Sequence, residues 1–170
     1  REVTSALGEV IKYGAILDKE LFDLISENLD NLLELGNPTL LTEVIARCVK
    51  LKANIVADDE REGDKRRILN FGHTIGHALE THFGFDTLRH GEAIAYGMLV
   101  AGKLSIEYSG LKNEDFELLH ETIQSLPLPI LPEFDPKALL NIIQNDKKVK
   151  NGKVHFILLE EIGKSIVNNN

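Results

Sequence analysis

Apolar residues recur every three or four positions along almost the whole chain, which is the spacing of helices that bury one face. The longest such pattern, NPTLLTEVIARCVKLKANIVADDE, predicts a single helix, and a second long helix is predicted from about Glu92 to Ser109. The only convincing strand-like run comes late, from Lys153 to Leu159, and is followed by EEIGKSIV. The pattern therefore predicts a mainly α, multi-helix domain with a short β hairpin near the C-terminus.

Several helix ends are marked by residues that favour them. Asp18 stands before KELFDLISENL as an N-cap, and Asp135 followed by Pro136 predicts another helix start. Gly36 follows DNLLEL, where the end of a helix calls for a residue that tolerates a positive φ. The stretch LPLPILPEFDP predicts an extended connection, because each proline disfavours the α conformation of the residue before it.

Composition limits the number of domains and the classes of partner. The chain has 170 residues, 43% of them hydrophobic, which predicts one domain with a sizeable core. Its formal net charge of -8 argues against general nucleic-acid binding, since phosphate backbones require a basic surface. Any cationic site must therefore be a local concentration of lysine and arginine.

The single cysteine, Cys48, excludes an internal disulfide framework and a cysteine-rich zinc module, which favours a reducing compartment. No run of about 18 apolar residues exists, and REVTSALGEV lacks the apolar segment of a signal peptide. We therefore expect a soluble, cytoplasmic protein without membrane contact. The sequence has no initiating Met, and we expect it to be one domain of a larger protein.

The stretch RRILNFGHTIGHALETHFGF carries the first candidate chemistry. In a helix, His73, His77 and Glu80 lie on one face, where they can bind one ion or one anionic group. The spacing differs from the zinc-peptidase pattern, in which the glutamate directly follows the first histidine. A metal site, a pair of catalytic acids and bases, and an ordinary helix with solvated or core-capping histidines all remain open at this point.

Two further motifs favour a metal. His90 stands directly before Gly91 at a predicted helix start, among small residues that allow close approach of helices or of a ligand: Gly72, Gly76, Gly91, Ala93, Ala95 and Gly97. Tight helix packing alone explains these residues equally well. In GEVIKYG, Glu9 and Lys12 lie one turn apart, as in a solvated ion pair. Catalytic zinc sites typically use two histidines and a carboxylate, and Glu9, His73 and His90 would supply that set.

Cationic residues suggest a phosphate pocket. Lys52 shares a predicted helical stripe with Leu41, Ile45, Cys48 and Ile55, so it is either paired or bound to an anion, or its ammonium reaches the surface along the helix. The segment NDKKVKNGK adds Lys147, Lys148 and Lys150, which a solvated turn would also explain. Several donors that converge on one anion are what phosphate recognition requires, and the candidates are Lys52, Arg66, Arg67, Asn70 and these lysines.

The motifs EVIKYG, DERE, LNFGHTIGHALE, RHGEAIAYGM and DKK occur in this order and together resemble the 3-dehydroquinate synthases, within the sugar-phosphate cyclases. The most specific part is LNFGHTxGHAxE followed by HGEA, with His90 seventeen residues after His73. The resemblance covers nearly the whole chain and is to the C-terminal, largely helical half of the family. One departure is Ser5-Ala6-Leu7-Gly8 where the family usually reads Ser-Gly-x-Ala, an exchange of small residues that should preserve close packing.

The resemblance implies a divalent metal, commonly zinc and in some cases cobalt, that is bound by Glu9, His73 and His90. It makes His77 a contact for the substrate or its phosphate instead of a metal ligand. Within DKK we assign the contact to Lys148 over Lys147. The substrate-binding positions that the resemblance implies, besides His77, are Lys12, Lys52, Glu62, Arg66, Asn70 and Lys148.

The implied activity is a lyase of the shikimate pathway, which serves aromatic amino-acid biosynthesis, acting on 3-deoxy-D-arabino-heptulosonate 7-phosphate. A ring hydroxyl is transiently oxidised by NAD, phosphate is eliminated, the ketone is reduced again, and the opened ring closes by an aldol reaction to give 3-dehydroquinate. The family binds NAD through an N-terminal α/β domain, and no glycine-rich dinucleotide turn occurs here. Residues 1–170 are thus expected to be the metal and substrate half of a protein that is commonly a homodimer, and to be inactive alone.

Three other functions remain open on sequence. A different sugar-phosphate cyclase, making 2-deoxy-scyllo-inosose or a valiolone, would share the metal site. A metal-dependent alcohol dehydrogenase of the glycerol dehydrogenase type would accumulate NADH, whereas a cyclase returns the hydride. A helical metal-binding or interaction domain would need no nucleotide partner.

Overall fold

The computed structural model describes residues 1–59, 65–84, 86–145 and 154–168. Most of these residues are helical, and the α-helices are α1 (Glu2–Leu17), α2 (Lys19–Glu27), α3 (Leu29–Leu33), α4 (Pro38–Asp58), α5 (His73–Phe83), α6 (His90–Tyr108), α7 (Asn113–Gln124) and α8 (Pro136–Asn145). A short 3₁₀ helix, Lys65–Asn70, precedes α5. Strands β1 (Phe156–Glu161) and β2 (Lys164–Asn168) form an antiparallel hairpin. The predicted mainly α domain with a C-terminal hairpin is confirmed.

The predicted helix starts follow from their caps. The Asp18 side chain accepts a hydrogen bond from the Leu21 N–H, so α2 begins where the sequence predicts. Asp135 accepts from the Lys137 N–H at the start of α8, also as predicted. The Asn37 side chain caps α4 through the Leu40 N–H, and Pro38 occupies the first turn, where its missing N–H has no cost. These caps satisfy N–H groups that would otherwise have no partner inside the helix.

The end of α3 differs from the prediction by one residue. Leu35, and not Gly36, has the positive φ, at 55°. The Leu35 N–H bonds to the Leu32 carbonyl at 3.3 Å and the Gly36 N–H to the Asn31 carbonyl at 3.2 Å, which is the hydrogen-bond pattern of a Schellman motif. Leu35 therefore holds the left-handed position that glycine usually takes, at a steric cost of about 1 to 2 kcal/mol.

Helix α6 lies at the centre of the domain. It packs against α1, α5, α7 and β1, while α1 also contacts α2 and α4. Ile94 and Met98 of α6 are fully buried together with Ile11, Phe22 and Leu119 from the surrounding helices. Each such side chain contributes about 1.5 to 3 kcal/mol relative to leaving it exposed. The packing therefore fixes α6, and with it the position of His90 at its first residue.

The apolar stripe of α4 is shifted from the one that was predicted. The residues that α4 buries are Leu40, Val44, Cys48 and Ile55. Lys52 is exposed and Ile45 is 57% exposed. At about 100° per residue, Lys52 lies roughly 40° around the helix from Cys48, on the side away from Val44. Of the alternatives left open for Lys52, the structure supports the one in which its ammonium reaches the surface, at the edge of the buried stripe.

Within the described residues, no helix is both long enough and apolar enough to cross a membrane.

The geometry of the turn after α3 predicts how substitutions at Leu35 and Gly36 change the stability of the protein. Leu35→Gly should stabilise the protein by about 0.5 kcal/mol, because glycine removes the left-handed penalty but adds freedom to the unfolded chain. Gly36→Ala should also be tolerated or stabilising, since its φ is not positive and an added Cβ has nothing within 4 Å. Urea unfolding of both variants measures this. Destabilisation by Gly36→Ala would mean that Gly36 holds the left-handed position after all.

Candidate metal centre

Helices α1 and α6 cross with their backbones in contact. A Cβ on Gly91 would lie 1.7 Å from the Ser5 carbonyl oxygen, and a Cβ on Gly8 would lie 2.2 Å from the Gly91 carbonyl oxygen. The Gly91 N–H donates to the Ser5 hydroxyl at 3.0 Å. No side chain fits at either glycine, so the crossing requires both. It brings Glu9, next to Gly8, close to His90, next to Gly91.

A second close contact joins α5 to α6. Gly72 has a φ of 78° at the start of α5 and leads directly into His73. A Cβ on Gly97 would lie 2.0 Å from the Gly72 carbonyl oxygen, and one on Gly76 would lie 2.6 Å from a methyl of Ile94. The predicted small residues thus serve close helix packing. That packing places α5 beside α6, and His73 beside His90.

The three histidines form one cluster. The ring centroids of His73 and His77 are 5.2 Å apart, those of His73 and His90 5.3 Å, and those of His77 and His90 5.8 Å. One nitrogen from each ring lies within 4.8 Å of the others, a spacing that can hold a metal ion. By the histidines alone, all three are therefore candidate ligands, which differs from the expected set.

Glu9 completes the cluster from α1. Its Oε1 lies 3.9 Å from His73 Nε2 and 3.7 Å from His90 Nε2. The same oxygen is buried and makes no hydrogen bond, whereas Oε2 accepts from Lys12 Nζ at 2.7 Å. A buried carboxylate oxygen without a partner is costly unless a cation neutralises it. The residues present therefore fit a metal at Glu9, His73 and His90.

Hydrogen bonds orient the two histidine rings towards Glu9. His73 Nδ1 lies 3.1 Å from the Phe71 carbonyl oxygen, which can only accept, so Nδ1 carries the proton. His90 Nδ1 lies 3.0 Å from Glu80 Oε1. His73 Nε2 therefore faces Glu9 Oε1 with its lone pair, and His90 Nε2 faces the same oxygen. This is the arrangement by which proteins prepare histidine for a metal.

Burial and charge set the protonation of the site. Burial first, and then the nearby ammonium of Lys12, lower the pKa of His73 to about 4. Burial also lowers the pKa of Lys12, against the attraction of Glu9, and the charge of Lys52 adds to the lowering. His73 is therefore neutral at pH 7, and a cation that binds its Nε2 does not have to displace a proton.

The structure brings together only part of the predicted substrate set. Lys12 is 3% exposed and paired with Glu9 in the cluster. Lys52 is exposed on α4, yet near enough to Lys12 to affect its pKa. Arg66 and Asn70 are half-buried on the 3₁₀ helix, which packs against α1, α4 and the hairpin. The predicted residues that lie outside the described part of the chain are Glu62, Lys148 and the neighbouring Lys147 and Lys150.

Two buried carboxylates, Glu80 and Glu92, are not among the predicted site residues. Glu80 is 4% exposed and contacts His90, and Glu92 is fully buried and accepts from Arg1 Nε at 2.8 Å. The helical face that unites His73, His77 and Glu80 does point to Glu80. The sequence points to Glu92 only through its position in the first turn of α6, which is typical of a capping residue. There its carboxylate accepts a hydrogen bond from the Arg89 N–H at 2.9 Å.

Comparison with known proteins identifies relatives of the whole chain. A family model described as 3-dehydroquinate synthase C-terminal matches residues 6–149. The 3-dehydroquinate synthase of Nostoc punctiforme is 45% identical over 167 residues, covering 96% of this chain and 46% of that protein. The one from Thermodesulfovibrio yellowstonii is 43% identical over 170 residues, covering 99% and 47%. The chain therefore spans about half the length of the curated relatives it matches.

Solved structures share the fold. The 2-epi-5-epi-valiolone synthase of Streptomyces hygroscopicus subsp. jinggangensis, with NAD+ and Zn2+ bound, superposes with a TM-score of 0.86 at 25% identity, over 99% of this chain and 47% of that one. A 2-deoxy-scyllo-inosose synthase in complex with carbaglucose-6-phosphate, NAD+ and Co2+ gives 0.79 at 27% identity, over 98% and 47%. The predicted fold class is confirmed by both.

The lowered pKa of His73 predicts how the metal-free protein responds to acid. Below about pH 6.5 the unfolded chain protonates His73, while the folded chain does so only near pH 4, so the free energy of unfolding should fall as pH decreases between these values. The contribution is at most about 1.4 kcal/mol per pH unit. Urea unfolding in chelator from pH 7 to 4 should show a shallower decline for His73→Asn. Equal slopes for the two proteins would mean that His73 titrates normally.

Proposed function

Since the chain belongs to the 3-dehydroquinate synthase C-terminal family, we propose that it is the metal- and substrate-binding half of a 3-dehydroquinate synthase. The complete protein converts 3-deoxy-D-arabino-heptulosonate 7-phosphate to 3-dehydroquinate and phosphate. The observation that carries this proposal is the buried, unpaired Oε1 of Glu9, which faces the Nε2 atoms of both His73 and His90.

The proposed metal ligands are Glu9, His73 and His90. The alternative set replaces Glu9 by His77. We favour Glu9 because its Oε1 would otherwise remain buried without a partner, and because two histidines and a carboxylate leave positions open for substrate. A divalent ion bound here, zinc or cobalt as in the solved relatives, would lower the pKa of a sugar hydroxyl that is to be oxidised.

Lys12 has two tasks in this site. Its Nζ donates to Glu9 Oε2 at 2.7 Å, which keeps the carboxylate aimed at the histidines. Its burial lowers its pKa, so the ammonium can release a proton more readily than an exposed lysine. Lys12 therefore orients the proposed ligand and lies close enough to contact a hydroxyl held at the metal.

The anionic groups of the substrate need several donors that converge. His77 lies beside His73 on the next turn of α5, and Arg66 and Asn70 precede α5 on the 3₁₀ helix. Lys52 and Lys148 complete the proposed donors, and the proposed substrate set also includes Glu62, whose carboxylate can accept from a hydroxyl but cannot donate to an anion. Groups that hold the phosphate and carboxylate in one geometry supply several kcal/mol of the barrier reduction by orientation alone. The phosphate itself can then serve as the base in its own elimination.

The proposal assigns residues 1–170 to one domain and assigns NAD to a part of the protein outside this chain. Hydride leaves the substrate for NAD and returns to it, so the reaction consumes no net oxidant. We further propose that the complete protein is a cytoplasmic homodimer that binds a small sugar phosphate and neither nucleic acid nor membrane.

A second sugar-phosphate cyclase activity is the nearest alternative. The two solved structures that share the fold are cyclases that make a valiolone and 2-deoxy-scyllo-inosose. The metal set would be common to all of them, so specificity must come from the residues around the phosphate and carboxylate. The curated relatives at 40% identity and above favour 3-dehydroquinate synthase.

The first test is catalytic. With NAD and zinc or cobalt, the complete protein should release phosphate from 3-deoxy-D-arabino-heptulosonate 7-phosphate and form 3-dehydroquinate without net NADH, and chelation should abolish the release. Phosphate assay, product chromatography and absorbance at the NADH band measure these outcomes. Turnover of glucose 6-phosphate or sedoheptulose 7-phosphate alone would assign another cyclase, and accumulation of NADH would assign a dehydrogenase.

The second test separates the two ligand sets. His73→Ala should abolish metal retention, because it removes a ligand, whereas His77→Ala should retain the metal and lose phosphate release. Elemental analysis after dialysis measures the metal, and thermal unfolding of the metal-free variants checks that both fold. Equal metal loss in the two variants would favour the three-histidine set.

A further inference from the structure

Glu80 lies in the last turn of α5 and makes a contact that the proposed reaction does not use. Its side chain is 4% exposed, and its Oε1 lies 3.0 Å from His90 Nδ1. A buried carboxylate is costly unless it is paired and hydrogen-bonded. The contact joins α5 to the first residue of α6, and it lies on the side of the His90 ring opposite to Glu9.

His90 is the histidine that needs such a partner most. Its side chain is 47% exposed, whereas that of His73 is 12% exposed and already bonded to the Phe71 carbonyl oxygen. Surrounding side chains therefore restrict the His90 ring far less than they restrict the His73 ring. Without another contact, the ring can rotate and either nitrogen can carry the proton.

We propose that Glu80 is a positioning residue that prepares His90 for the metal. The carboxylate accepts a hydrogen bond from Nδ1–H, which keeps the proton on Nδ1 and leaves the lone pair on Nε2, 3.7 Å from Glu9 Oε1. Its negative charge also makes the ring a stronger donor to a cation. This inference rests on the proposed metal site and adds to it a residue that touches neither metal nor substrate.

A purely structural ion pair between α5 and α6 is the competing explanation. The two helices are already held together by the contact of Gly97 with the Gly72 carbonyl and by Gly76 against Ile94. A further ion pair between Glu80 and His90 would add little to that packing. The structural explanation predicts a loss of stability upon substitution, and the positioning explanation predicts a loss of metal affinity that stability does not follow.

The test compares Glu80→Gln with wild type in the complete protein. Glutamine keeps the size of the side chain but removes the charge, and its amide can donate to Nδ1 and so favour the wrong tautomer. Chelator competition should show Zn2+ and Co2+ bound about 10- to 100-fold more weakly. The matched control is Glu117→Gln, at a glutamate 4.0 Å from His120 on α7, and it should bind both metals as wild type does.

Two readouts distinguish positioning from folding. Long-range 15N–1H spectra of histidine-labelled, metal-free wild type should show His90 protonated at Nδ1, and Glu80→Gln should shift the population towards Nε2. A wild-type ring protonated at Nε2 would overturn the proposal without any variant. So would a Glu80→Gln protein that unfolds at a lower temperature yet binds Zn2+ within twofold of wild type.

Failure of the metal site itself would look different. If wild type binds neither Zn2+ nor Co2+ above the level of His73→Ala, the proposed site is wrong and the Glu80 proposal is overturned with it. If wild type binds metal, His73→Ala does not, and Glu80→Gln binds as tightly as wild type, the metal site stands and only the role of Glu80 is refuted.

Discussion

The contact between α1 and α6 at Gly8 and Gly91 is the constraint on which the candidate site depends. A side chain at Gly91 would meet the Ser5 carbonyl oxygen at 1.7 Å, so any other residue must push the helices apart. Glu9 and His90 are the direct sequence neighbours of these glycines, and their facing atoms are 3.7 Å apart. Moving the two helices apart by even one ångström would therefore lengthen this distance and separate the proposed ligands Glu9 and His90.

Electrostatic contacts support the same crossing. Glu92 is fully buried and accepts from Arg1 at 2.8 and 2.9 Å and from the Arg89 N–H at 2.9 Å. Burial acts to raise the pKa of Glu92, but these bonds outweigh it and lower the pKa, so the carboxylate stays charged. Because Arg1 precedes α1 and Glu92 lies in α6, this ion pair joins the same two helices as the glycine contact. Close packing and a paired charge thus act on one junction.

The sequence alone predicted those features that depend on residues close together in the chain. The helix starts at Asp18 and Asp135 follow from local capping, and the helices follow from the spacing of the apolar residues. The predicted stripe of α4 included Ile45 and Lys52, which are exposed, because the buried side of α4 depends on how it packs against α1. An edge position differs from a buried one by only tens of degrees. Likewise, spacing alone made His73 and His77 equal. The different roles proposed for them come from the position of Glu9, more than sixty residues away in the chain.

Charge can reconcile the acidic chain with the proposed anionic substrate. The net charge is -8, yet in the proposed site one carboxylate, Glu9, faces a divalent cation while its other oxygen already bonds to Lys12. The metal and its three ligands together keep a charge of about +1, and Lys12 adds to it. In the low dielectric of a partly buried site this local excess outweighs more distant, screened surface acids. The Glu80 carboxylate beside His90 offsets the charge of Lys12, so a second acidic ligand in the proposed set would cancel the remaining positive charge.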